Sequence, residues 1–377
     1  MDTERPSASY QYKPLDTTKQ QIRLLKLHRL PPTFAALLHT DAVHCEIETF
    51  DIDTAPAYIA LSYTWGDPAY SRIIYLDNRP FRVRTNLFDF LCAFRSDNAN
   101  IYYLWIDQLC IDQTTTEERS HQVRLMSQIY TRCQFVIASL GLATAGLARA
   151  FLESPSSDLV RQLLQDRYFT RLWIVQEIRL APQVRILCGQ DWISWTSISS
   201  IVNIRGFFRQ PNLSLIIVRP ISSAGALFAL RRHGPHALIG KFASMQCEDP
   251  RDKVYGLLGL VDERSRPMVD YNKPLYEVYI DTVRAFSQDC PFTSEAVMMY
   301  LDLAWDMEFP EQTLCVLQEH FKYIGKIDER MRQKRHFSTL QMGYETGLPS
   351  QEALDRWWLE ADGQRLYYTC DPTSGQR

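Results

Sequence analysis

Trp173 and Glu177 stand four residues apart in the stretch Arg171-Leu172-Trp173-Ile174-Val175-Gln176-Glu177. On a helix that spacing puts two side chains on one face. An aromatic wall beside a carboxylate suits a cationic or sugar-bearing ligand, because both the ring face and the acid attract positive charge. The plainer reading makes Trp173 a core residue and Glu177 a solvated one. What separates the two readings is the order of the elements upstream.

Three short apolar runs precede this stretch. Tyr58-Ile59-Ala60-Leu61-Ser62-Tyr63 has the character of a strand buried on both faces, and Thr64-Trp65-Gly66-Asp67-Pro68 that of a sharp turn at its carboxyl end. Tyr102-Tyr103-Leu104-Trp105-Ile106-Asp107 is a second such strand ending in an acid, and 135–140 a third ending at Gly141. Between them lie helical patterns. Leu87, Phe90, Leu91 and Phe94 form one buried face, and Val123, Met126, Ile129 and Tyr130 another, the latter opened by Thr115 and Glu118 at capping-box spacing. Strand, helix, strand, helix, strand, helix implies an α/β fold with a parallel sheet, in which ligands bind at the carboxyl ends of the strands.

The remaining segments organise around this core. Residues 1–20 read as a loose arm, and runs at 22–27 and 43–48 as added strands. Ile73 to Leu76 and Phe81 to Val83 suit a hairpin with a polar tip, and Trp192 and Trp195 a short β-like run. A helix is expected around 226–232, next to a basic spot at Arg231-Arg232-His233. Asp249 caps a helix that Gly259 stops, and a further helix runs from Pro274. Beyond about 290 the patterns fade, with helices expected at 305–323 and 351–359 and an exposed charged segment at 328–336.

Composition narrows the function classes. The 377 residues are 46% hydrophobic and 12% aromatic, ample for a core, and 41 basic against 44 acidic residues leave a formal charge of −3. That balance gives no global attraction to nucleic acid or an anionic membrane. Nine cysteines occur singly with no Cys-x-x-Cys pair, as reduced core cysteines do, and no apolar run approaches the roughly 20 residues of a membrane span. A cytoplasmic location is expected. His39, His44 and Cys45 lack a second ligand pair at structural-zinc spacing, so no metal site is expected. No dinucleotide Gly-x-Gly-x-x-Gly and no phosphate-binding Gly-Lys-Ser/Thr loop occurs, which excludes a Rossmann cofactor.

The blocks Ala60-Leu61-Ser62-Tyr63-Thr64-Trp65-Gly66-Asp67, Leu104-Trp105-Ile106-Asp107-Gln108-Leu109-Cys110-Ile111-Asp112-Gln113, Arg171 to Glu177, and Asp249-Pro250-Arg251-Asp252-Lys253-Val254-Tyr255-Gly256-Leu257-Leu258-Gly259-Leu260 resemble, in order, the fungal heterokaryon incompatibility (HET) domain family. The resemblance runs from about Tyr10 to about Phe286. Asp112 stands where the family usually has Asn, and Arg167-Tyr168 where it usually has Pro-Trp; neither departure is expected to touch the site. The blocks are also similar, remotely, to the Toll/interleukin-receptor (TIR) domain. Its first strand ends in a Ser-Tyr or Ser-Phe turn, its second in Ile-Asp, and its third leads to a helix with Trp and then Glu. Ser62-Tyr63, Ile106-Asp107, Trp173 and Glu177 stand in that order.

The resemblance implies a TIR-like, flavodoxin-like parallel-sheet core, with β additions at the N-terminal side and a helical C-terminal extension. It divides the chain into an arm (1–20), the HET domain (21–200), its helical continuation (201–290) and the extension (291–377). It implies an effector of nonself recognition and programmed cell death that hydrolyses NAD, taken as substrate and not as cofactor. Glu177 is then the catalytic candidate. Ser62, Tyr63, Trp65, Gly66, Asp67, Trp105, Asp107 and Trp173 are the substrate-binding candidates, with Trp65 and Trp173 stacking on the bases and Gly66 letting the backbone approach. Glu118 is expected to serve as a capping acid, and Asp249, Arg251 and Asp252 as helix-cap and ion-pair residues. Self-assembly and a nonself partner protein are the partners implied. The alternative class is a non-enzymatic HET signalling module that acts by self-association or docking.

Overall fold

A computed structural model describes residues 9–29, 42–202, 234–287 and 294–321. The basic spot at Arg231-Arg232-His233, the helices expected around 226–232 and 351–359, the charged segment 328–336 and His39 lie outside the described residues. No helix among the described residues is long and apolar enough to cross a membrane. Residues 9–20, expected as loose arm, are anchored: the Tyr12 hydroxyl donates to Leu109 O at 3.0 Å, and Leu15 is buried. Tyr12 supplies an apolar ring and a donor together, which polarity alone concealed.

The protein is mixed α/β. Among the described residues nine strands form one sheet: β1 Gln21–Leu27, β2 His44–Asp51, β3 Tyr58–Tyr63, β4 Ser71–Leu76, β5 Arg79–Arg84, β6 Tyr103–Trp105, β7 Val136–Ser139, β8 Val184–Cys188 and β9 Asp191–Ser194, in the order β5-β4-β2-β1-β6-β3-β7-β8-β9. β6, β3, β7 and β8 run parallel to one another. Taken by their succession in the chain, these four lie in the order 2-1-3-4. β3 is buried along its whole length, as a strand covered on both faces must be. Antiparallel β1 and β2 extend the β6 side, with the β4–β5 hairpin beyond them, and β9 closes the opposite edge. Trp195, expected in that edge run, instead opens a helix, Trp195–Val202. Its buried Trp195, Ile198 and Val202 recur at helical spacing.

Alternation along the strands sorts the interior into two halves. One half contains Leu25, Leu61, Tyr63, Leu104 and the buried face of α1 Thr85–Phe94. The other contains Ala60, Trp105, Val136 and the stripe Met126, Ile129 and Tyr130 of α3 Thr116–Arg132, and continues into the C-terminal helices as far as Leu317. A four-residue helix, α2 Asp107–Cys110, follows β6. Between β7 and the Glu177 helix the chain inserts α4 Ala145–Glu153 and α5 Ser157–Leu163, which the strand-helix alternation did not anticipate. Each is too short to show much periodicity. Glu177 lies on α6 Ile174–Arg179. The helix expected at 305–323 begins instead after Pro310, at Glu311–Phe321, and an unexpected helix, Ser294–Asp306, precedes it.

One buried ion pair ties the N-terminal strand to this framework. Arg23, 2% exposed, donates to both carboxylate oxygens of Glu118 at 2.5 and 2.9 Å, to Cys110 O at 3.1 Å and to Lys13 O at 2.6 Å. Glu118 is therefore no capping-box acid. Thr115 makes no side-chain cap, and the carboxylate, drawn inward by the guanidinium, also accepts from Asp112 N at 2.7 Å. Removing one partner of such a pair strands the other charge without solvent. We expect Glu118→Gln to destabilise the chain by about 3–5 kcal/mol in urea unfolding. A loss below about 1 kcal/mol, the range of exposed pairs, would contradict this account.

Candidate functional site

Successive residues of a strand face opposite sides, so Ser62 points away from Leu61 and Tyr63 towards the half of the interior that holds α6. There its hydroxyl donates to Glu177 Oε2. The Tyr168 hydroxyl lies 2.6 Å from Ser62 Oγ. A serine has one proton to give, so with that proton on Glu177 the phenol is the donor. Glu177 is 2% exposed, and Arg171 closes over it with two contacts of 3.4 Å, one to each oxygen. Burial pushes the Tyr168 phenol well above its ordinary range, with the Glu177 charge adding to the effect, so it remains a donor. For Arg171 burial opposes the charge, but Glu177, Tyr168 and Asp107 outweigh it and hold the guanidinium protonated.

Asp107, at the carboxyl end of β6, completes the cluster. Burial, reinforced by the Glu177 charge, raises its carboxyl to about 6, against the pull of Arg171 and the donors Trp65 Nε1 at 2.7 Å and Gln108 N at 2.7 Å. Tyr63, on the other face of β3, donates to Gln108 Oε1 at 3.2 Å. Trp65 is held between that acid and Arg84, whose guanidinium lies 5.0 Å from the ring centroid and donates to Gly66 O at 2.8 Å. Gly66 has φ +85°, and a Cβ there would lie 2.9 Å from the Asn86 side chain, so the turn accepts only glycine without strain.

The α6 end is fixed from the second half of the chain. Gln246 N donates to Thr170 O and Leu172 N to Gln246 O, each at 2.8 Å, forming a short parallel bridge beside Arg171. Trp173 Nε1 donates to Asp252 Oδ2 at 3.0 Å, and the Tyr271 hydroxyl to Asp252 Oδ1 at 2.5 Å. A Cβ on Gly259 would lie 2.4 Å from Gln176 Oε1, so this glycine permits close packing against α6; it is not the expected helix stop, since the helix Asp252–Tyr255 ends before it.

Residues 58–159 match the family model described as Heterokaryon incompatibility protein (HET). Over that stretch the chain is similar to the HET family. It is also 28% identical, over 375 aligned residues covering 74% of this chain and 54% of the relative, to Heterokaryon incompatibility protein 6, OR allele, of Neurospora crassa. The chain thus spans about half the length of that curated relative. No solved structure matches. The HET match includes Ser62 and Asp107 and ends before Arg171 and Glu177.

Of the residues singled out from sequence, Ser62, Asp107 and Glu177 come together, and Tyr63 and Trp65 attach to the same cluster through Gln108 and Asp107. Asp67 is exposed and caps its own turn, accepting from Ala69 N at 2.9 Å. Trp105 is fully buried, edge-on to Tyr130 with ring centroids 5.5 Å apart, and faces the interior. Trp173 precedes Glu177 by one turn, but its indole N–H goes to Asp252 while Glu177 turns to Ser62. Asp252 is a buried acceptor for two donors, whereas Asp249 does pair with Arg251, at 2.9 Å. Two contributors were missed. Arg171 was visible only as a charge beside an apolar block. Tyr168 was set aside as a departure from the family pattern, yet its hydroxyl reaches Ser62. Among the described residues no three metal-ligating side chains converge; His44 stacks on Tyr75 at 4.8 Å, and Cys45 is buried.

Burial raises Asp252 to about 7, against the hydrogen bonds from Tyr271 and Trp173. An unfolded aspartate loses its proton near pH 4. Between those values the folded chain holds the extra proton, so this contribution to stability is complete below about pH 4 and is lost as pH rises through about 7. Asp107, raised to about 6, acts with the same sign. Melting temperatures from pH 4 to 8 are expected to fall less steeply for Asp252→Asn than for the wild type. Parallel curves would show that Asp252 titrates normally.

Proposed function

We propose that the chain is an effector of fungal nonself recognition and programmed cell death, acting in the cytoplasm, and that its HET domain cleaves the nicotinamide–ribose bond of NAD at the Glu177 site. The observation that carries this reading is the convergence of Ser62, Asp107 and Glu177 at the carboxyl ends of parallel strands. The order 2-1-3-4 of those strands is the flavodoxin-like one, whose ligands bind at the switch point beside the first strand. This order supports a TIR-like core, and the similarity to a Neurospora crassa heterokaryon incompatibility protein supports the biological role.

Breaking the bond releases neutral nicotinamide and leaves an oxocarbenium-like ribose that water then captures. A single carboxylate near the ribose suffices to stabilise that charge, because the leaving group needs no proton. Glu177 takes this part, held in place by the Ser62 donor. Asp107, ionised above about pH 6, stands ready to receive the proton of the attacking water. Self-association through the HET domain and docking of a nonself partner protein bring the site into action.

A second reading, a signalling module without catalysis, draws on the burial of Glu177 under Arg171. NAD consumption by the purified, concentrated chain separates the two. Glu177→Ala should lower turnover about a hundredfold or more, the usual loss on removing a charge-stabilising group. Equal turnover by both proteins would remove the enzymatic reading, and viability of a fungal host expressing each would then report on signalling alone.

A further inference from the structure

Among the described residues two arginine–carboxylate pairs have a buried acid, and they differ in character. Arg23 is 2% exposed and spends its donors at 2.5 to 3.1 Å on Glu118, Cys110 O and Lys13 O. Arg171 keeps 17% of its side chain exposed and makes, among the described residues, hydrogen bonds only to Glu177, both 3.4 Å long, while its Glu177 partner keeps 3%. A guanidinium has five donors in a fixed fork, and a structural pair uses them. Arg171 leaves most of its own unused and lies on the outer side of the carboxylate. Beside it stand the Tyr168 ring at 5.9 Å and, within electrostatic reach, the second acid, Asp107, which in turn holds Trp65 by its indole N–H at 2.7 Å. Carboxylates with aromatic faces form a receptor for a flat, delocalised cation.

We propose that Arg171 is the resting occupant of that receptor, an internal stand-in that closes the chain until a planar cationic ring of the pyridinium class displaces it from Glu177. The identity of the cation rests on the proposed reaction; the displacement does not. Arg171 holds its place by tether and charge, so an incoming ring must compete with it, and removing the arginine opens the position.

The probe is 1-methylnicotinamide, a cation with no ribose and no bond to cleave, titrated calorimetrically against the full chain. Arg171→Ala is expected to bind it at least tenfold more tightly than the wild type, and Arg171→Ala/Glu177→Gln to lose that gain. Arg171→Gln, which still donates to Glu177, is the second variant should alanine prevent folding. Equal affinity in wild type and variant overturns the proposal, as does failure of both single variants to fold, which would make Arg171 a structural counter-ion. NAD turnover is read in parallel. A probe gain without turnover removes the reaction and leaves the occupant, whereas Glu177-dependent turnover without a probe gain does the reverse.

Discussion

A carboxylate taken out of water costs several kcal/mol unless a charge and hydrogen bonds replace its solvent. Glu177 is such a group, and the arrangement around it follows from that requirement. Ser62 gives one hydrogen bond, Tyr168 orients Ser62, and Arg171 supplies the opposite charge. The serine reaches Glu177 only because it occupies an inward position on β3 that faces α6. A slip of one residue in the pairing of β3 with β7 would present Leu61 or Tyr63 instead. The register of the parallel sheet and the charge state of the site are thus one constraint.

The second half of the chain is needed to meet it. Thr170 to Leu172 is bridged to Gln246, Trp173 is tied to Asp252, and α6 packs on Gly259. These contacts set where Arg171 and Glu177 begin, and they lie outside residues 58–159. Aromatic stacking adds to the hold: the Arg119 guanidinium lies 3.7 Å from the ring centroid of Tyr271, the residue whose hydroxyl completes the acceptor set of Asp252. A change at Asp252 or Tyr271 therefore acts on Glu177 through backbone position, without touching a ligand.

Strand identity and helix type were legible because burial imposes a period. β3, β6 and β7 show as apolar runs, and α1 and α3 as stripes with three to four residues between apolar positions. Partner choice was not legible, since it depends on which elements meet. Glu118 has the spacing of a capping acid and is captured by Arg23 from a strand 95 residues earlier, an attraction no local window contains. Trp173 and Glu177 have the spacing of a shared face, but α6 is only six residues long and Trp173 stands at its cap, so the indole is free to turn towards Asp252. Tyr168 offers no periodic signal. Its importance is a single hydroxyl, visible only once β3 and the segment before α6 are side by side.

The electrostatic sum of the cluster decides what kind of ligand it favours. Above about pH 6 the Asp107 carboxylate is ionised and joins Glu177 in facing the single positive charge of Arg171. Arg84 does not redress the balance, because it lies across the Trp65 ring and contacts Glu248 at 3.5 Å. A site short of one positive charge in a poorly hydrated setting repels a free phosphate and attracts a cation, the more so when its walls are aromatic. An anionic ligand would have to carry its charge away from Asp107, whereas a molecule with a cationic ring at one end and phosphates at the other can place the ring inside and leave the phosphates in solvent. Under the proposed reaction, the balance of two acids against one arginine favours the cationic end of a dinucleotide over its phosphates.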